Sequence, residues 1–247
     1  MYCLAVHVSR PTLLVPVVSP EPDLYPMSDM HLDGLSGFDI VLSGYWEIPE
    51  QQPPQSARDA HQTEADAVLY ETAAQFSRVG ARTEIRLAFG PAGAAEQAHH
   101  NRMIAETGAD GVLLADHLES LHNLVVPLRD VRHQDQIIDL VSAFDADSLF
   151  VLELYHVAAS EEAVESATEM LREIEQTLLA RGFSEADLEL KVEVADDAKA
   201  AIAANARDHH LVVMGETEKP EAADRLFGPV CTYIAEESGT PIIVVQE

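Results

Sequence analysis

The chain carries one α/β pattern twice, and that repetition limits its fold more than any single motif. Leu13-Leu14-Val15-Pro16-Val17 returns 111 residues later as Leu124-Val125-Val126-Pro127-Leu128. Residues 65–80 have the spacing of an amphipathic helix that ends in glycine. So do residues 161–182, where Val164, Ala167, Leu171, Ile174, Leu178 and Leu179 form one stripe. Each helix is followed by an alternating strand (83–88 and 188–194), an alanine-rich helix (92–107 and 197–207) and a short, wholly apolar strand (111–115 and 211–214). Strands that alternate with helices, several of them apolar on both faces, require parallel sheets covered on both sides. Ligands of such sheets sit at the carboxyl ends of the strands.

The second copy is the fuller one. Its strands are expected at 124–128, 148–155, 188–194, 211–214 and 241–245, with helices near 133–144, 161–181, 197–207 and 229–237. The first copy has a stretch of weak helical periodicity at 19–37, before a strand at 38–42. After Ala115 only a few residues remain before the repeat begins again, so its final helix and strand are lost, or its last strand is merged with 124–128. The expected organisation is a leader at 1–10, a shortened and degenerate domain at 11–121 and a complete domain at 122–247.

Charge narrows the setting. The 247 residues include 43 acidic and 15 basic side chains, a formal net charge of -28 spread along the whole chain. A surface acidic everywhere repels itself, and strong salt screens that repulsion. The expectation is a cytoplasmic protein of a salt-rich, halophile-type cell, with neither nucleic acid nor anionic membrane as partner. No apolar run approaches the roughly 20 residues of a membrane span. Residues 1–10 lack the basic start and cleavage site of a signal peptide. Cys3 and Cys231 stand far apart and fit no metal pattern.

Nothing points to catalysis. There is no nucleophile elbow, and with carboxylates so abundant, no acidic pair stands out. The pairs His99-His100 and His209-His210 are adjacent rather than three or four apart, the wrong spacing for a helical metal site. They are expected at the surface. Tyr45-Trp46 closes a strand at its carboxyl end and is expected to pack against the helix that follows.

The most telling short segment is Val212-Val213-Met214-Gly215, with Gly228 returning 13 positions later at the start of a new helix. Glycines let a backbone approach a phosphate, and the N–H groups of a helix start then face the anion. This segment, Leu124 to Pro127, Leu154-Tyr155-His156-Val157 and Pro241-Ile242-Ile243-Val244-Val245 together resemble the universal stress protein family. The resemblance covers 122–247 well and 12–116 loosely. It implies a Rossmann-like fold of the adenine nucleotide alpha hydrolase type and an ATP or other adenine nucleotide site at Gly215, Thr217, Lys219, Gly228, Val230 and Arg129.

Three residues depart from the family motif. Position 218 is Glu where the motif has glycine. Position 229 is Pro where it has Ser or Thr, which removes a hydroxyl and an N–H, each worth on the order of 1 kcal/mol. Arg129 stands where the family carries an aspartate, with Asp130 one residue late. The expected role is therefore a stress-response binding or regulatory module, not an enzyme, that does not hold ATP in the usual family manner. Two alternatives stay open. One is an ATP sensor in which Lys219 and Arg225 replace the missing donors. The other is a soluble adaptor that regulates a membrane transporter. Because domains of this family pair through their last strands, and the first copy lacks one, the strand from Pro241 to Val245 is expected to remain an apolar edge. Such an edge would pair with its counterpart in a second chain as a homodimer.

Overall fold

The computed structural model describes residues 10–20, 32–115, 118, 120–129, 133–215 and 227–246. The first half supplies β1 (Thr12–Ser19), β2 (Asp39–Glu47), α1 (Pro54–Arg78), β3 (Arg82–Gly90), α2 (Ala94–Thr107) and β4 (Gly111–Leu114). The second supplies β5 (Asn123–Pro127), α3 (Gln134–Val141), β6 (Val151–Ala158), α4 (Val164–Ala180), β7 (Leu188–Val194), α5 (Ala198–Ala206), β8 (Leu211–Gly215), α6 (Pro229–Ser238) and β9 (Ile242–Val245). All nine strands lie in one sheet, in the order β3-β2-β1-β4-β9-β8-β5-β6-β7. Every neighbouring pair is parallel except β4 with β9.

The burial follows from the apolar runs. Every residue of β8 and β9 is buried, as expected for strands covered on both faces. Leu69 and Phe76 of α1, Ile137, Ile138, Leu140 and Val141 of α3, and Leu171, Ile174 and Leu178 of α4 join one core cluster. Met103 of α2, Ala203 and Ala206 of α5, and Cys231 and Ile234 of α6 join a second. On α4 the buried positions Ala167, Leu171, Ile174 and Leu178 repeat at helical spacing, the stripe read from the sequence.

The halves are interlocked as well as adjacent. Phe38 meets Phe144 edge-on, with ring centroids 4.9 Å apart. The Asp145 N–H donates to the Gly34 carbonyl at 3.1 Å. Gly111 faces Leu140, Ile243 and Leu13 so closely that a Cβ there would lie 2.9 to 3.0 Å from all three. At that crossing of β4, β9 and α3 a larger residue would have to displace the ends of three packed side chains.

The last strand corrects the expected assembly. It is not an edge. Val212 to Gly215 pair with Ile242 to Val245 on one side, and Gly111 to Leu114 pair with the same four residues on the other. Both hydrogen-bonding sides of Pro241 to Val245's strand are used within the chain, so the homodimer expected through it has no free edge there. Among the described residues the first half has no fifth strand, and β9 takes the neighbouring place by running antiparallel to β4. β5 is the first strand of its own half and not a merged one, since it pairs with β6 and β8. The true sheet edges, β3 and β7, alternate charged and apolar residues, a pattern that discourages strand addition.

Some boundaries also move. The helix read at 65–80 starts at Pro54, a residue suited to a first helical turn. The strand read at 148–155 starts at Val151, because Asp145 accepts from the Asp147 N–H and holds residues 146–148 in a 3-10 turn. Residues 1–9 of the expected leader lie outside the described residues; the guanidinium of Arg10 donates to the Gly80 carbonyl at 3.1 Å.

Because Ile243 is fully buried at the centre of this sheet, Ile243→Ala is expected to cost about 2–5 kcal/mol. Urea unfolding in strong salt, followed by Trp46 fluorescence from the opposite half, checks this. The Trp46 midpoint should fall together with the circular dichroism midpoint, in one transition.

Candidate functional site

The carboxyl ends of β5, β6 and β8 open into a cavity of about 490 Å³. Pro127, Leu128 and Arg129 approach it from β5, Tyr155 and Val157 from β6, and Met214 and Gly215 from β8. Helix α3 adds Ile137, α5 adds Ile202 and α6 adds Val230, so the floor is largely apolar. Arg129, His133, Asp196, Asp197 and Lys199 supply the polar part of the lining. This is where a parallel sheet of this type binds ligands.

Local hydrogen bonds shape the walls. The Leu128 N–H donates to the Tyr155 carbonyl at 2.8 Å, and Nδ1 of His156 donates to the Leu128 carbonyl at 2.7 Å. Together they tie the end of β5 to β6. Asp197 caps α5 by accepting from the Ala200 N–H at 3.2 Å. The Tyr155 hydroxyl donates to Glu193 at 2.8 Å, and the Lys191 ammonium lies 5.3 Å from the centre of the Tyr155 ring. Burial, then the bond to Glu193, holds the Tyr155 phenol well above its usual range. Beneath it Glu153 is buried, accepting from Nδ2 of Asn205 at 2.5 Å, while Lys191 donates to the Asn205 amide oxygen. A buried carboxylate is tolerated here because it is partnered.

Of the residues singled out in the sequence, Arg129, Gly215 and Val230 meet in this cavity. Gly228 is the N-cap of α6, with Pro229 at its first turn, where the missing N–H is one that a helix start leaves unsatisfied in any case. Thr217 and Lys219 lie outside the described residues, as do Glu218, Arg225 and Asp130. Sequence reasoning missed Tyr155, Asp196, Asp197, Lys199 and His133. Asp196 and Asp197 were discoverable as a capping pair just after β7. His133 carries no local signal. It is the residue before α3, its φ of 58° is left-handed, and its ring lies against Gly215.

The first half is different. Its strands run opposite to those of the second half across the β4–β9 pairing, so its carboxyl ends face the other edge of the molecule. There His99 and His100, expected at the surface, are 5% and 1% exposed. Both lie against β2, whose Tyr45 ring is 5.6 Å from that of His99 and 6.3 Å from that of His100. The Ser43 hydroxyl and Nδ1 of His100 are 2.8 Å apart, and the Tyr45 hydroxyl donates to the Pro91 carbonyl at 3.0 Å. Nε2 of each histidine is buried without a hydrogen-bond partner. Burial pushes the Tyr45 phenol and the Glu96 carboxyl up and the His99 imidazole down. It pushes His100 down to about 4, with His99 adding to the effect. Trp46 stacks on His61 at 5.1 Å and packs with Ala57 and Ala65 of α1, the packing role expected for it. Among the described residues no cluster of His, Cys, Asp or Glu can hold a metal.

His100 thus resists protonation in the fold, beside Tyr45, His99 and Glu96 and near Glu47, Arg102 and Glu106. The unfolded chain takes up that proton below about pH 6.5 and the folded chain only below about 4, so stability falls as pH drops through this window. Between pH 7 and pH 4 the contribution is about 3 kcal/mol. His100→Asn keeps the acceptor for Ser43 and removes the titration. Its urea midpoint should fall less than that of the wild type over the same pH range.

Residues 128–246 match the model of the universal stress protein family. A comparison with curated proteins finds no match. Among solved structures, a universal stress protein from Archaeoglobus fulgidus DSM 4304 is similar over 96% of this chain and 96% of its own, with a TM-score of 0.63 and 16% identity. A functionally unknown protein from Pseudomonas aeruginosa PAO1 is similar over 95% of this chain and 92% of its own, with a TM-score of 0.50 and 14% identity. At such identities the likeness is one of fold. Among the described residues no helix is long and apolar enough to cross a membrane. Residues 128–246 are therefore similar to the universal stress protein family, and the nine-stranded sheet around them has a Rossmann-like α/β fold like that of the solved structures.

Proposed function

We propose that the chain is a two-copy universal stress protein, a regulatory binding module without catalysis that works in a salt-rich cytoplasm. Its second half takes a small ligand in the cavity between β5, β6 and β8, and does not hold ATP in the manner implied by the family motif. The observation that carries this reading is the cover over Gly215. A glycine in that motif offers bare backbone to a phosphate, but here the side chain of His133 lies against it. Asp196 and Asp197 on the same cavity add charge that opposes an anion, worth roughly 1 kcal/mol per contact at 4 Å in water and about 4 kcal/mol at a surface-like dielectric, and they offset the Arg129 and Lys199 charges that would favour one. The alternative of an ATP sensor would rest on Lys219 and Arg225, and that of a transporter adaptor on a partner surface.

Thermal unfolding in molar potassium chloride, with and without millimolar ATP and magnesium, separates the readings. A ligand at about 100 times its Kd adds roughly 2.7 kcal/mol, which raises the midpoint of a chain this size by several degrees. The expected shift with ATP is under about 1 °C, in the absence of such a stabilising term. Mass spectrometry of small molecules released from protein purified in high salt should find no adenosine triphosphate. A saturable shift of several degrees with ATP returns the sensor reading.

A further inference from the structure

We infer that this cavity takes a zwitterion with an apolar body, of the class of an α-amino acid with an apolar side chain. The inference rests on the proposed function above and names the ligand class of the same site.

Four charges on the lining stay apart. Arg129 and Lys199 bring positive groups, Asp196 and Asp197 negative ones, and all four residues are exposed. Among the described residues no two of them form an ion pair. Cations are scarce in this chain, 15 against 43 carboxylates, so an unpaired one is informative. Arg82, Arg86, Arg181 and Arg207 each sit beside a carboxylate. Arg129 does not, and neither Arg129 nor Asp196 makes a side-chain hydrogen bond among the described residues. Lys199 is held elsewhere, with its ammonium 4.9 Å from the centre of the Tyr233 ring on α6. Asp197 commits one oxygen to the Ala200 N–H at 3.2 Å, and the other stays available as an acceptor.

This balance selects against a ligand of either single sign. A plain anion is drawn by Arg129 and Lys199 and opposed by Asp196 and Asp197, and a plain cation meets the reverse. A triphosphate, with several negative charges and no positive one, matches half of the lining. A molecule that carries one charge of each sign, a carboxylate toward Arg129 and an ammonium toward Asp196, is attracted by both and repelled by neither if it lies the right way round. The floor supplies the rest. Leu128, Ile137, Ile202, Met214 and Val230 give an apolar surface that favours burial of an apolar side chain. At about 490 Å³ the cavity is within the range of roughly 300–1,000 Å³ usual for small-molecule sites.

The test is isothermal titration into the full chain in molar potassium chloride. The probes are L-leucine and L-phenylalanine, their amides, which lack the negative charge, their N-acetyl forms, which lack the positive one, and magnesium ATP. Each amino acid should bind at least about tenfold more tightly than its amide or its N-acetyl form. Arg129→Gln should cut the preference over the amide at least about threefold, and Asp196→Asn the preference over the N-acetyl form by as much. Both positions are exposed, and thermal unfolding confirms that each variant is folded. The three forms of each probe bound within about threefold of one another would mean that the apolar floor alone holds the ligand, and this overturns the inference. An N-acetyl form bound as tightly as its amino acid marks a simple anion site and overturns it too. Neither amino acid bound overturns the ligand class, and ATP still excluded in that case leaves the proposed function standing. Saturable binding of ATP to wild type sinks the proposed function itself.

Discussion

The four residue pairs between β4 and β9 hold this molecule together. Gly111 to Leu114 and Ile242 to Val245 run antiparallel at the centre of a sheet whose other contacts are all parallel. The first half has four strands, and on its own it would end in the bare, wholly apolar edge of β4. The second half ends in β9, equally apolar. Each covers the other, so neither half shows an edge that would template aggregation. The burial of Leu113, Ile243 and Val244 and the close approach of Ile243 to Gly111 both follow from this one pairing. The outer edges left over, β3 and β7, carry charges at alternate positions, in keeping with the acidic surface elsewhere.

The same pairing makes the two carboxyl ends unequal and sets them on opposite sides. In the second half the strand ends open into a cavity. In the first half the corresponding region of β2 and α2 is filled by Tyr45, His99 and His100, all buried and held toward their uncharged forms. Buried histidines that stay neutral stabilise this packing only while the medium is not acidic. In the second-half cavity His133 lies against Gly215, and the lining carries Arg129 and Lys199 as well as Asp196 and Asp197.

Much of the architecture was legible in the residues. The stripe on α4, the glycine at the end of β8 and the apolar run of β9 all read correctly, because periodicity and continuous burial are local signals. The fate of β9 did not. Counting strands showed that the first copy lacked one, but not that a single strand could serve both halves, since that depends on which edges meet in space. The burial of His99-His100 was hidden for a similar reason. An adjacent pair normally splits between two faces, and only their shared contact with Tyr45 of β2 shows that both are buried. His133 was invisible because nothing near residue 133 signals contact with residue 215.

The central claim is that β4 and β9 make the two halves one sheet, and native-state hydrogen exchange in strong salt tests it most directly. If the claim holds, the amides of residues 112–114 and 242–245 are among the most protected in the chain and exchange only through global unfolding, with the same denaturant dependence as residues 211–214. Exchange of residues 112–114 through a separate, lower-energy opening of the first half, with 211–214 still protected, would contradict it.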